Sequence, residues 1–113
     1  MVQHSPAVLD RTFAALADPH RRAILDRLGS GPVSASKLAA PLDMTLTGVL
    51  KHVRALEEAD LVSTYKQGRT RWCRLTPRAL DDAACWIEDR RRLWQGRLDR
   101  FERLVARVEE TTG

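Results

Sequence analysis

The sequence predicts a mainly α-helical chain with one small β-hairpin in its second half. Several stretches place apolar residues at helical spacing between cap residues and helix breakers. One pair of short runs, rich in Val, Thr, Tyr and Trp, is typical of β-strands. With 113 residues, 43% of them hydrophobic and 30% charged, the composition predicts a single domain over residues 1–113.

The first two helices are predicted from one apolar stripe and one cap. The stripe of the first helix, within residues 1–17, consists of Leu9, Phe13 and Leu16. Asp18 can then cap a second helix, because Pro19 suits the first helical position. This helix should end near Leu28, since the Gly and Pro residues at 29–32 cannot continue it. Its expected core residues are Ala23, Ile24 and Leu28.

Two further caps predict a third and a fourth helix. Ser34 can cap a short helix that reaches residue 40, and Thr45 can cap a helix over residues 46–59. Two apolar residues around Thr45 can staple the entry of the fourth helix, Met44 and Val49. The expected apolar face of this helix consists of Leu46, Val49, Val53 and Leu56. The opposite face carries Thr47, Gly48, Lys51, Ala55 and Glu58, with His52 and Arg54 on its flanks.

A basic hairpin is predicted after the fourth helix. The β-prone runs cover residues 61–65 and 70–75, and residues 66–69 connect them. Gly68 supplies the positive φ that such a connection requires. The cations of the hairpin are Lys66, Arg69, Arg71 and Arg74.

The last predicted helix is longer than a small core can cover. Thr76 and Pro77 can begin it, and it should run over residues 77–109, about 50 Å at about 1.5 Å per residue. Its apolar seam repeats every seven residues at Leu80, Ile87, Trp94, Phe101 and Val108, with Ala84, Leu98 and Val105 four positions further on. The seam can pack on helices of its own chain, but a two-fold dimer is favoured. The expected dimer interface, between residues 1–17 and 77–109, consists of Leu9, Phe13, Leu16, Trp86, Leu93, Trp94, Leu98, Phe101 and Val105.

The charge balance and the order of elements together predict a DNA-binding protein. The chain has 19 Lys and Arg against 15 Asp and Glu, a net charge of +4, which favours an acidic partner. Helices followed by a hairpin form a winged helix-turn-helix, whose recognition helix enters the major groove. We expect double-stranded DNA to contact Ser36, Lys37, Thr45, Thr47, Gly48, Lys51, His52, Arg54, Lys66, Arg69 and Arg71.

Other functional classes are not indicated by the sequence. No apolar run reaches the roughly 20 residues of a membrane span, and the first residues lack a signal-peptide pattern, so we expect a cytoplasmic protein. No phosphate loop or nucleophile elbow is present, and we expect neither an enzyme nor a cofactor. Cys73 and Cys85 are expected to be small buried residues. A thiol switch stays open at Cys73, because Arg71 and Arg74 could lower its pKa.

Three stretches resemble the ArsR family of dimeric winged-helix repressors. They are residues 16–25 (LADPHRRAIL), residues 50–62 (LKHVRALEEADLV), and Gly68-Arg69 with Trp72 and Leu75. The resemblance covers residues 9–110. It implies a homodimer held by the first and last helices, with the fourth helix reading an inverted repeat near a promoter. The segment with Trp86, Trp94 and Leu98-Asp99-Arg100 resembles a branch of the family that lacks metal sites.

Departures from the family pattern concern the recognition helix and the metal motifs. Leu50 replaces a common serine and could touch a thymine methyl group or pack. His52 matches the histidine of the family's recognition helix, and its imidazole could contact DNA or pack. Asp60 replaces a glycine at a position that needs positive φ. The Cys-x-Cys motif of metal-sensing relatives is absent, since the chain has Ser34-Ala35-Ser36 there, and no metal site is expected. The alternative function is a protein-interaction module that uses the long last helix; the effector stays unknown.

Overall fold

The computed structural model describes residues 6–112, and its main elements are five helices and a small sheet. In chain order they are α1 (Pro6–Leu16), α2 (Pro19–Leu28), β1 (Val33–Ser34), α3 (Ala35–Ala39) with a 3-10 turn (Ala40–Leu42), α4 (Leu46–Glu58), β2 (Val62–Gln67), β3 (Thr70–Leu75) and α5 (Arg78–Thr112). Residues 1–5 of the predicted 1–17 segment lie outside the described residues. No helix within residues 6–112 has the length and apolar character of a membrane span.

The chain divides into two compact units, Met1–Ala83 and Ala84–Gly113. The first unit contains every element from α1 to the beginning of α5. Its fully buried side chains come from α1, α2, α3, α4, β3 and the residue before β2: Thr12, Ile24, Leu38, Val49, Val53, Leu56, Leu61 and Cys73. The single domain over residues 1–113 stays a prediction.

The buried residues of α1, α2 and α4 differ from the predicted core residues at one place in each helix. α2 buries Leu25 as well as Ile24 and Leu28, whereas the predicted Ala23 is half-buried. α1 buries Leu9, Thr12 and Ala15, and the predicted Phe13 is 37% exposed. In α4, Leu46 is 46% exposed, because it is the first residue of the helix and lies beyond the core.

The sheet has three antiparallel strands in the order β1-β3-β2, one more than predicted. β1 pairs with β3, with Val33 opposite Cys73. β2 extends two residues beyond its predicted run at the turn, β3 has the predicted bounds, and Gln67 pairs with Thr70. The connection is therefore two residues rather than four. Gly68 has a φ of 65°, as expected for a glycine at the first position of a type II′ turn.

The LADPHRRAIL segment joins α1 to α2 by satisfying both helix ends. The Asp18 carboxylate accepts hydrogen bonds from the backbone N–H groups of His20 (2.8 Å) and Arg21 (3.2 Å). Arg21 donates to the carbonyls of Ala14 and Ala15, and Arg22 donates to that of Leu16. One short motif thus provides hydrogen-bond partners for free N–H groups at the start of α2 and for free carbonyls at the end of α1.

The C-terminal end of α4 forms a Schellman motif with an aspartate in the left-handed position. Asp60 has a φ of 58°, its N–H donates to Glu57, and the N–H of Leu61 donates to the carbonyl of Leu56. The predicted positive φ at Asp60 is confirmed. The Thr76 hydroxyl, expected near the cap of the last helix, instead donates to the Asp60 carbonyl (2.9 Å), and α5 begins at Arg78.

Candidate nucleic-acid interface

The N-terminus of α4 is built by Thr45 and Gly48. The Thr45 hydroxyl accepts a hydrogen bond from the Gly48 N–H at 3.1 Å, as the cap prediction requires. A Cβ at Gly48 would lie 3.2 Å from Met44 Cε and 3.3 Å from Thr45 Oγ1. Glycine therefore allows the cap and the staple residue to lie close to the helix, and Val49 is fully buried behind it.

An open groove of about 180 Å³ connects α3, the start of α4 and the tip of the hairpin. Its lining consists of Ala35, Ser36, Leu46, Leu50, Arg69, Thr70 and Arg71. Three residues predicted to contact DNA, Ser36, Arg69 and Arg71, therefore share one surface. Leu50 lines this groove and also packs against the core. The exposed Leu46 and Thr70 were not predicted here, because the helical angle alone assigned Leu46 to the core.

The outward face of α4 is cationic. Lys51 and Arg54 are exposed, and no acidic residue occurs from Thr45 to Leu56. Arg54 pairs with Glu58 at 3.8 Å, but both side chains are more than 70% exposed, so water and salt weaken this pair. His52 is half-buried, and its ring stacks on that of His20 at a centroid distance of 5.6 Å.

The hairpin holds its cations in defined positions. Lys66 lies directly opposite Arg71 in the register, an arrangement of like charges that is destabilising unless anions are nearby. The Arg71 guanidinium donates to Thr64 Oγ1 (3.1 Å), and that hydroxyl donates to the Glu57 carboxylate (3.1 Å). This chain of hydrogen bonds links the guanidinium of Arg71 to the end of α4.

The predicted DNA-contacting residues are accessible in the first unit. Nine of them are exposed: Ser36, Lys37, Thr45, Thr47, Lys51, Arg54, Lys66, Arg69 and Arg71. Gly48 and His52 are half-buried. Arg74, which the sequence assigned to the basic hairpin, donates to Ser63 Oγ (3.0 Å) and lies over the Tyr65 ring at 5.6 Å.

The two cysteines differ in environment. Cys73 is buried, as expected, whereas Cys85 is exposed, so its predicted burial is wrong. Burial and the nearby Glu57 carboxylate raise the pKa of Cys73 and outweigh the opposing effect of Arg71. The open possibility of a thiol switch at Cys73 required a lowered pKa and is not supported, because removal from water disfavours the thiolate more than one arginine stabilises it.

The predicted dimer residues occur in both units. In the first unit, Leu9 is buried and Leu16 packs against the core. In the second unit, Trp86 is half-buried, and Arg90 lies over its ring at 4.8 Å. The other predicted residues of α5 are 38–62% exposed: Leu93, Trp94, Leu98, Phe101 and Val105.

Comparison with known proteins shows which family has this architecture. Residues 16–65 match the family model of a helix-turn-helix domain. Over 96 residues the chain is 35% identical to the HTH-type transcriptional regulator Rv2034 of Mycobacterium tuberculosis, covering 85% of this chain and 87% of the relative. It is 28% identical over 79 residues to the transcriptional repressor SdpR of Bacillus subtilis, covering 70% and 88%.

Solved structures give the same result. A crystal structure of the ArsR family transcriptional regulator RHA00566 is 41% identical with a TM-score of 0.77, covering 84% of this chain and 97% of that one. The homodimeric winged helix-turn-helix DNA-binding domain of Mb0332 from Mycobacterium bovis, a possible ArsR-family regulator, is 25% identical with a TM-score of 0.62, covering 82% and 94%. With this order of elements and these identities, the chain belongs to the ArsR family of winged helix-turn-helix transcriptional regulators.

Proposed function

We propose that this chain is a homodimeric repressor that binds an inverted-repeat operator. The observation that carries the proposal is the shared surface of α3, α4 and the hairpin tip, where the exposed cations meet the capped start of α4. A helix N-terminus favours phosphate, and small residues such as Gly48 allow the helix to approach base edges. α4 then lies in the major groove.

The side chains of this surface divide into two roles. Lys51 and Thr47, on the outward face of α4, reach base edges and determine sequence preference. Arg69 and Lys66 of the hairpin neutralise phosphates, which adds affinity for any sequence. Leu46 and Leu50 offer apolar contacts at the start of α4, where a thymine methyl group can pack.

Dimerisation is supported by the second unit considered alone. Trp94, Leu98, Phe101 and Val105 follow one another at helical spacing, and each is at least 38% exposed. A contiguous exposed apolar patch of this kind marks an interaction surface. The homodimeric M. bovis domain supports a second copy of this chain as that partner. Two copies would place two recognition helices about 34 Å apart, one turn of DNA.

The relative in B. subtilis is a repressor, which supports repression rather than activation by this chain. A dimer seated on a promoter excludes the polymerase by occupying the same DNA. This activity requires no catalytic group, and a protein of this kind works beside the chromosome in the cytoplasm.

The experiment is selection of bound sequences from a random DNA library, followed by titration at several salt concentrations. We expect an inverted repeat and a log affinity that falls with log salt by roughly 0.9 per phosphate neutralised. Lys51→Ala should reduce discrimination between the selected and random DNA, and Arg69→Ala should weaken binding to both.

A matched control is Arg27→Ala, which removes the same charge from the last turn of α2. Arg27 lines a separate cavity with Ala23, Pro41 and Leu42, so its loss should change affinity little. A salt-independent affinity, or equal effects of Arg27→Ala and Arg69→Ala, would contradict the proposed interface. A chain that sediments as a monomer would favour the alternative, in which the α5 face binds another protein.

A further inference from the structure

Three side chains with metal-binding groups meet on one side of the first unit. Asp18 and His20 lie at the start of α2, and His52 lies within α4. One carboxylate oxygen and two imidazole nitrogens lie within 4.8 Å of one another. The sequence did not indicate this group, because His52 is remote from the other two residues along the chain.

The carboxylate of Asp18 is already oriented for a ligand. Both backbone hydrogen bonds, from His20 and Arg21, fall on Oδ1, so Oδ2 stays available. Hydrogen bonds of this kind fix ligating carboxylates in many metal sites. Among the described neighbours, the Arg21 guanidinium donates to the carbonyls of Ala14 and Ala15 rather than to this carboxylate.

The carboxylate of Asp18 lies at the N-terminal end of α2. The N-terminal end of a helix repels cations. The ionised carboxylate at the end of α2 offsets this repulsion.

To coordinate one ion, the two imidazoles must leave their stacked arrangement, because the lone pair of each nitrogen lies in the plane of its ring. Their rings are stacked at 26° with centroids 5.6 Å apart, and His20 Nδ1 lies 3.6 Å from Asp18 Oδ1. Tetrahedral zinc with ligand distances of about 2.1 Å places ligand atoms about 3.4 Å apart. The side chain of His20 is 51% exposed and can turn without disturbing the core.

We propose that Asp18, His20 and His52 bind one divalent transition-metal ion of the zinc type, with water in the remaining position. Two imidazoles and one carboxylate are ligands that zinc and cobalt accept. An open fourth position and an exposed histidine allow the ion to exchange with the solvent. This site is not the position at which metal-sensing relatives carry a Cys-x-Cys motif, since that position holds Ser34 and Ser36 in this chain.

The bound ion would cross-link the start of α2 to the middle of α4. Both segments belong to the first unit, and their ligands are not expected to stay together when the chain unfolds. Zinc should therefore raise the midpoint of thermal unfolding, since it binds the folded chain in preference.

The test is a titration of the reduced, metal-free full chain with Zn(II) by calorimetry and with Co(II) by visible absorption. We expect one ion per chain, a Co(II) spectrum without thiolate charge-transfer bands, and a rise of about 5 °C or more in the unfolding midpoint with excess zinc. His20→Gln and His52→Gln should each weaken binding at least about tenfold.

Asp18→Asn separates ligation from folding. Asparagine caps a helix about as well as aspartate, so the metal-free midpoint should change little while zinc affinity falls. Two control variants, Cys85→Ser and His4→Gln, should leave the affinity unchanged; they remove an exposed thiol and a histidine outside the described residues. Zinc binding that survives His20→Gln and His52→Gln together, that disappears in Cys85→Ser, or that is not detected in large zinc excess would overturn the proposal.

Discussion

The two units of this chain differ in how far their apolar side chains are buried. In the first unit, Ile24, Leu38 and Leu56 are at most 1% exposed, and the polar groups of the helix ends are paired. In the second unit, Trp94, Leu98 and Phe101 are more than half exposed. The first unit thus resembles a finished domain core, whereas the second resembles half of an interface.

This contrast teaches that helical periodicity alone does not distinguish core from interface. The apolar stripes on α4 and α5 have the same sequence pattern. The α4 stripe is nevertheless buried within its own chain, except at Leu46. On α5, Leu93 and Leu104 lie about 100° from the centre of the stripe and widen the apolar face.

The largest expected effect comes from a charge on the α5 face. Trp94→Glu should raise the dimer dissociation constant about a thousandfold or more, because two tryptophans are lost per dimer at about 2 kcal/mol each. Sedimentation equilibrium measures the change. Thermal unfolding at one protein concentration shows whether the first unit stays folded.

The matched variant for this prediction is Arg103→Gln. It changes the charge by the same amount, but nine residues place it about 180° from Trp94 around the helix. Its dissociation constant should stay close to that of the unmodified chain. Equal effects of the two variants would show that total charge, and not the apolar face, controls association.

A smaller effect is expected from a cavity in the first unit. Leu56→Ala should lower the free energy of unfolding by about 3 kcal/mol, because Leu56 is fully buried and its neighbours close only part of the space. In the Trp94→Glu background, where the α5 face lacks its partner, Leu104→Ala, the same change at a residue that is 56% exposed, should cost less than about 0.5 kcal/mol. Urea unfolding at equal protein concentration compares them. Similar losses at both positions would contradict the contrast between the units.

The smallest effect is a gain in stability at the end of α4. Asp60→Gly should raise the free energy of unfolding by about 1 kcal/mol, because glycine adopts the φ of 58° without the strain that a side chain brings. The Schellman hydrogen bonds use only the backbone and should persist. Urea unfolding measures this gain. A loss of stability would mean that the Asp60 side chain itself makes a stabilising interaction.

Features that depend on neighbouring residues were predicted well. The Asp18 and Thr45 caps, the start of α4 and the left-handed Asp60 each depend on a few consecutive residues, and the structure confirms them. β1 was missed because two residues carry no pattern, and only pairing with β3 makes them a strand. The contact between His20 and His52 was missed for the same reason, since it exists only after α2 and α4 pack.

The exposed face of α5 also has a genetic consequence. In the proposed dimer, pairing uses α5 and reading of DNA uses α4, so a chain with a damaged α4 should still find a partner. In a cell that makes both kinds of chain, mixed pairs would outnumber intact ones and could hold only half of an operator. Defects in α4 should therefore behave as dominant alleles, and defects at Trp94 as recessive ones.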